Sequence, residues 1–185
     1  MRVIAGSARG THLKVPQRLT RPSTDRLREA LFSILGPQVE GAAVLDLFAG
    51  SGALGIEALS RGAASAMFVE ASRKACEIIG QNLEKAGVAG GSVASGDVFR
   101  TLVALQPGVF GLIFADPPYA ATAGEDFAAQ LLEDRTLPGL LQPDGLLVVE
   151  VESGREVPEA PAWRLLDRRV YGSSAILFYG LKEGA

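Results

Sequence analysis

The stretch Val44-Leu45-Asp46-Leu47-Phe48-Ala49-Gly50-Ser51-Gly52-Ala53-Leu54-Gly55 decides how the chain is read. An apolar run reaches an acid, passes through a glycine-rich turn and continues in a helical pattern, which is the order strand, ligand-gripping loop, helix. Gly50, Gly52 and Gly55 fall at the G-x-G-x-x-G spacing of folds that hold nucleotide cofactors. Gly50 and Gly52 accept positive φ and let the backbone approach a ligand, while Gly55 lets the helix lie close to the strand. Asp46 stands where the strand delivers its last side chain into the crevice. A pyrophosphate at the helix N-terminus would be repelled by that carboxylate. S-adenosylmethionine carries an ammonium and a sulfonium, and a carboxylate attracts both. Asp46 followed by Phe48, Gly50 and Gly52 therefore reads as a methyl-donor site more than a dinucleotide site. The plain alternative is a glycine-rich turn with Asp46 as a helix-capping acid.

On the C-terminal side strands alternate with helices. Strands are expected at 43–47, 65–70, 92–95, 110–115 and 145–151, and helices at 52–61, 72–86, 97–104 and 125–134. Leu112-Ile113-Phe114-Ala115 and Leu146-Leu147-Val148-Val149 are continuously apolar, as parallel strands covered on both faces should be. Pro143-Asp144-Gly145 reads as a turn before a buried strand. Residues 163–180 read as two strands around Tyr171-Gly172-Ser173-Ser174, a turn short enough to make them antiparallel, with Trp163 at a sheet edge. The class is α/β.

In an open α/β sheet, ligands bind beyond the carboxyl ends of the strands. Asp46, Glu70, Asp97 and Asp116 all fall at such ends. Glu70 lies 20 residues beyond Gly50, a spacing that suits an acid taking two ribose hydroxyls. Asp97 could accept from an adenine amino group, with Val98 or Phe99 against the ring. Asp116-Pro117-Pro118-Tyr119 then separates a methyltransferase from a dehydrogenase. The prolines lack N–H groups, so the segment presents a carboxylate and carbonyls but few donors. That suits a target that donates hydrogen bonds, such as an exocyclic base amine. Accepting both its N–H bonds at Asp116 and the Pro117 carbonyl would localise the nitrogen lone pair, and Tyr119 would stack on the base. Such chemistry requires no metal. A Pro-Pro loop closing a strand is the bland reading.

Toward the N-terminus the charge balance changes. The chain of 185 residues has net charge −3, with 18 basic and 21 acidic side chains. Seven of the basic ones (Arg2, Arg9, Lys14, Arg18, Arg21, Arg26 and Arg28) crowd into the first 28 residues against Asp25 alone. This asymmetry reads as a polyanion-binding arm on an acidic body, or more plainly as a solvated basic terminus. Residues 2–5 and 12–15 are expected to pair as short strands about a glycine-flanked tip carrying Arg9. His12, the sole histidine, suits a nucleic-acid contact better than a metal ligand. Pro22-Ser23-Thr24-Asp25 starts a helix whose apolar stripe is Leu27, Ala30, Leu31, Ile34 and Leu35, with Arg26 projecting away and Arg28 flanking it. The expected division is a basic RNA-binding hairpin and helix over 1–36 and a catalytic domain over 37–185. The length suits one core plus a small appendage. Apolar content of 48% includes no run of about 20 residues for a membrane span, and residues 1–6 lack the apolar core of a signal peptide. The lone Cys76 excludes an internal disulfide, so the expected location is cytoplasmic.

These pieces together resemble the class I S-adenosylmethionine-dependent methyltransferases, most closely the bacterial family that methylates guanine N2 in 16S ribosomal RNA. The resemblance rests on Arg2-Val3-Ile4-Ala5-Gly6 with Arg9-Gly10, on Arg21-Pro22-Ser23-Thr24-Asp25-Arg26-Leu27-Arg28-Glu29-Ala30-Leu31-Phe32, on Asp46 through Ala58, and on Asp116-Pro117-Pro118-Tyr119. It implies a Rossmann-like, mostly parallel seven-stranded sheet with helices on both faces and the last strand inserted antiparallel. It also implies S-adenosylmethionine as donor and a partly assembled 30S subunit as substrate; a monomer is expected. The D-P-P-Y signature also serves adenine N6, so a DNA amino-methyltransferase is an alternative, although 185 residues leave little room for a target-recognition domain. A non-catalytic RNA-binding module is a third reading.

Overall fold

A computed structural model describes residues 1–16, 25–118, 126–156 and 160–183. Its elements run α1 (Asp25–Leu35), a 3-10 turn (Gly36–Val39), β1 (Ala43–Leu47), α2 (Ala53–Ser60), β2 (Ser65–Glu70), α3 (Arg73–Ala86) and β3 (Gly91–Ser95). They continue with α4 (Val98–Leu102), β4 (Phe110–Ala115), α5 (Phe127–Glu133), α6 (Leu137–Leu140), β5 (Leu141–Glu152), β6 (Trp163–Tyr171) and β7 (Ser174–Leu181).

All seven strands form one sheet in the order β3-β2-β1-β4-β5-β7-β6. The first five are parallel, and β7 enters antiparallel between β5 and β6. Strand order reverses between β1 and β4, which opens a crevice at their carboxyl ends. Each face carries its own apolar layer. Leu31, Phe32, Ile56 and Ile79 of α1–α3 pack on Val44, Phe68, Phe114 and Val148. Leu102, Leu131, Leu132 and Leu140 of α4–α6 pack on Leu45, Ile113, Leu147 and Leu177. The central strand β4 is apolar along its length because both faces are covered, whereas β3 at the edge is largely exposed.

Most expected elements appear, with shifted limits. Ser72 caps α3 by accepting the Ala75 N–H, and Gly87 closes that helix in the left-handed region at φ 63°. β5 starts at Leu141, earlier than expected; Pro143-Asp144-Gly145 lies in a bulge where the register jumps from Phe110↔Leu141 to Leu112↔Leu146. Trp163 does lie on the sheet edge, in β6. The two expected N-terminal strands reduce to a single bridge, Arg2↔His12, flanked by hydrogen bonds between Val3 and Thr11 and between Leu13 and Met1.

α1 corrects the expected stripe. Its inner face is Leu27, Arg28, Leu31, Phe32 and Leu35, whereas Ile34 is 41% exposed. Phe32 turns the helix inward by meeting Phe114 edge-on at 5.7 Å between ring centroids. The Arg61 guanidinium lies over the Phe32 ring, 4.9 Å from its centroid.

The N-terminal segment is built into the body. Val3, Ala8 and Leu13 are buried in the same apolar layer as α1–α3. The Glu57 carboxylate of α2 accepts the N–H groups of Ile4 at 2.7 Å and Ala5 at 3.0 Å. The Ser60 hydroxyl donates to the Ala5 carbonyl at 2.6 Å and accepts the Ala8 N–H at 2.9 Å. Hairpin and catalytic core therefore share one packed layer.

Candidate active site

The site is built on the carboxyl edge of the sheet. Taken along the strand order, Asp97 and Asp116 follow β3 and β4, Glu70 ends β2, and Asp46 is the last but one residue of β1. Asp46 and Asp116 lie on adjacent strands, since Leu47 pairs with Ala115 and the Asp116 N–H points at the Leu47 carbonyl at 3.5 Å.

The loop after β1 has the backbone expected of it. Gly50 and Gly52 take φ of 56° and 75°. Phe48 is also left-handed, at φ 56°, a costly conformation for a side chain of that size. A Cβ on Gly55 would sit 2.3 Å from the Phe68 ring and 3.2 Å from Asp46 Oδ2, so only glycine lets α2 lie this close to β1 and β2.

Asp46 differs from the expectation of a side chain delivered into the crevice. It is 1% exposed, and its Oδ2 accepts the Gly55 N–H at 2.9 Å beneath the start of α2. Burial pushes its carboxyl up to about 7, against the pull of the Gly55 hydrogen bond and with a smaller push from Glu70. A carboxyl raised in the folded state is protonated there before it is in the unfolded chain. Stability from this group is thus greatest at low pH and falls as pH rises from about 4 to 7, by up to about 1.4 kcal/mol per pH unit. Asp46→Asn should flatten that slope. Urea unfolding at pH 5 and pH 8 measures it, and an unchanged slope would show that another group carries it.

Glu70 holds the loop as well as facing the crevice. Its Oε2 accepts the Gly50 N–H at 2.9 Å and its Oε1 the Ser72 N–H at 2.8 Å. Each oxygen keeps a second lone pair for a ribose hydroxyl. Asp97 is exposed and caps α4 by accepting the Arg100 N–H at 3.0 Å, with Val98 buried behind it. Three half-buried rings that spacing did not single out together, Phe48, Phe99 and Phe127, converge with centroids 5.5–6.5 Å apart. They bring the glycine loop, α4 and α5 to one aromatic surface of the kind that packs against a planar ring. A left-handed loop, a ribose-spacing acid and an aromatic wall, all on an acidic rim, fit a cationic nucleoside.

Beside this lies the β4 end, where Asp116 is half-buried, Pro117 buried and Pro118 exposed. Tyr119, Arg18 and Arg21 lie outside the described residues. A cleft opens next to the two prolines, lined also by Asp126, Glu150, Glu152 and Arg155. Arg155 is ion-paired with Asp126, the residue that caps α5.

The basic residues separate into two groups. Arg2, Arg9, His12, Lys14 and Arg26 are exposed, and Arg9 occupies the hairpin tip. Arg2 pairs with Asp25 at 3.4 Å, and Lys14 Nζ donates to Gln81 at 2.8 Å. Arg28 corrects the expectation that it grips phosphate, because its side chain is 0% exposed. It donates to the Arg2 carbonyl at 2.7 Å and to Asp25 Oδ1 at 2.8 Å, and lies 3.8 Å from Glu57. Asn82 is another residue that motif reading passed over. It is fully buried, accepts the Lys14 N–H at 2.8 Å, and donates to the carbonyls of Lys14 and Ser51, each at 2.9 Å. One amide thus ties the basic hairpin to the glycine loop.

Fold and site together define a class I S-adenosylmethionine-dependent methyltransferase. The family model described as Conserved hypothetical protein 95 matches residues 1–180, and the chain belongs to that family. It is 38% identical over 182 residues to Ribosomal RNA small subunit methyltransferase D of Escherichia coli, covering 97% of this chain and 89% of that one. It is 37% identical over 184 residues to the Bacillus subtilis protein YlbH, covering 97% and 98% respectively. Among solved structures, the Escherichia coli protein yhhF superposes with a TM-score of 0.82 at 36% identity, covering 98% of each chain.

Proposed function

We propose that this enzyme methylates the exocyclic N2 amine of a guanine in 16S ribosomal RNA, acting as a monomer in the cytoplasm on a partly assembled 30S subunit. The observation that carries the reading is the Asn82 tie, which holds an exposed basic hairpin against the loop that grips the methyl donor. Polyanion and methyl donor are then presented on neighbouring surfaces. The relatives named for small-subunit ribosomal RNA support the same substrate class. Among the described residues no helix is long and apolar enough to cross a membrane.

S-adenosylmethionine, when bound, supplies a sulfonium methyl whose carbon–sulfur bond breaks, its electron pair passing to sulfur, as the carbon–nitrogen bond forms. The Gly50–Gly52 loop and Glu70 would hold the donor, Asp97 and Val98 would face its adenine, and buried Asp46 fixes the start of α2 from beneath through the Gly55 N–H. Asp116 and the Pro117 carbonyl accept the two N–H bonds of the target amine, so its lone pair leaves the ring and points at the methyl. Asp116 then takes the surplus proton from nitrogen and passes it to water. Tyr119 stacks on a base that must first leave its own stack, as RNA loops and bulges allow.

Methyl transfer to 30S subunits from a strain lacking the enzyme, followed by mass spectrometry of the nucleosides, tests the reading. N2-methylguanosine is expected, and a methylated adenine or cytosine would overturn it. Arg9→Ala should weaken RNA binding and lower the slope of log affinity against log salt by about 1. Filter binding at several salt concentrations measures this, and an unchanged slope would remove Arg9 from the interface.

A further inference from the structure

We infer that Glu150 reads the target base, accepting the ring N1–H of guanine and thereby excluding bases that carry a lone pair at that position. The inference rests on guanine N2 as the methylated atom.

Three observations place Glu150 there. The last pair of the β4–β5 ladder is Ala115↔Val149, so the next step along the two parallel strands brings Asp116 and Glu150 side by side. The partner of Glu150 on its other side is Ile176, whose side chain lies in the same apolar layer as α1 and the hairpin; Glu150 therefore leaves the sheet on the face that carries the basic segment. Glu150 also lines the cleft against Pro117 and Pro118, and is half-buried there. That cleft adjoins Pro117, whose carbonyl is assigned to the amine.

Neighbouring acceptors suit neighbouring donors on one edge of guanine. Asp116 and the Pro117 carbonyl are acceptors for the N2 amine, and Glu150 is an acceptor one strand further. Guanine presents, in sequence, the N2 amine, the N1–H donor and the O6 acceptor. Adenine and cytosine present a ring lone pair where guanine has N1–H, and a carboxylate repels it. A carboxylate on N1–H also returns electron density to the ring and lessens the withdrawal from N2.

The test compares guanine with 2,6-diaminopurine at the target position, in 30S subunits reconstituted around ligated 16S RNA. Diaminopurine keeps the N2 amine but has a lone pair at N1 and an amine at C6. Wild type should prefer guanine by at least roughly a hundredfold in single-turnover rate. Glu150→Gln, whose amide can donate to a ring lone pair, should narrow that preference by roughly ten- to a hundredfold, as expected for one base-edge contact. Glu152→Gln, in the same cleft, should leave it unchanged. The preference is a ratio measured on one preparation, so it is insensitive to the fraction of variant that is folded. An unchanged ratio in Glu150→Gln would overturn the inference and leave N2 methylation standing, as would loss of both activities with cofactor binding intact. Wild type that forms no N2-methylguanosine would instead bring down the reading on which the inference rests.

Discussion

Asp116→Ala is expected to lower methyl transfer by about three orders of magnitude while cofactor affinity stays within about threefold of wild type. The two effects separate because the two binding tasks sit on different strands. The donor is assigned to the β1 loop, Glu70 and Asp97, and Asp116 meets the end of β1 by its backbone N–H, which faces the Leu47 carbonyl. What is lost is the acceptor that frees the lone pair of the amine, and the amine becomes both a weaker nucleophile and a misaimed one. Removing one preorganised hydrogen-bonding group from a reacting centre costs about 10²–10³ in rate, and loss of aim adds to it. Asp116→Asn keeps one acceptor oxygen and should fall between alanine and wild type. Single-turnover transfer on 30S subunits and titration calorimetry with S-adenosylmethionine measure the two quantities. An equal loss in both would mean that Asp116 holds the donor and not the target.

The parts of the site that were legible in the sequence are those fixed by local chain chemistry. Gly50 and Gly52 take positive φ, Gly55 leaves no room for a Cβ, and Ser72 caps α3. Spacing and residue type suffice for such features. The row of acids was legible for the same reason, because strand ends in a parallel sheet must share one edge. What could not be read were the tertiary partners. Asp46 looked like a crevice acid, and only the close approach of α2 shows it covered and bonded to Gly55. Arg28 looked like one of seven similar cations, yet Phe32 four residues later marks the buried face of α1 and was a readable sign that Arg28 points inward. The single charge in the apolar helix Ala53-Leu54-Gly55-Ile56-Glu57-Ala58-Leu59 was another readable sign, since a buried carboxylate must find donors. Asn82 and Glu150 left no such mark, because their roles depend on which loop or strand lies beside them.

Glu57→Ala should be the most damaging single change to the fold, costing about 3–5 kcal/mol. The carboxylate is fully buried and serves three donors, the N–H groups of Ile4 and Ala5 and Arg61 Nε at 2.7 Å, and is ion-paired with the Arg28 guanidinium at 3.8 Å. Truncation strands two backbone N–H groups and leaves Arg28 buried, with Asp25 as its remaining ion-pair partner. Arg28→Met should cost less, even though it breaks the same ion pair. Nε and NH1 of Arg28 make no hydrogen bond, so methionine removes two poorly satisfied groups while filling much of the volume, and only the NH2 bonds to Arg2 and Asp25 are lost. The order Glu57→Ala worse than Arg28→Met therefore distinguishes a carboxylate that organises the hairpin from an ion pair valued for its own attraction. Urea unfolding gives the two costs, and amide hydrogen exchange at Ile4 and Ala5 locates them. In Glu57→Ala both amides should lose protection ahead of global unfolding, releasing the hairpin tip that carries Arg9 from the C-terminal end of α2 and weakening RNA binding more than cofactor binding. Equal costs for the two variants, or undiminished protection at Ile4 and Ala5, would mean that apolar packing of Val3, Ala8 and Leu13 docks the hairpin without Glu57.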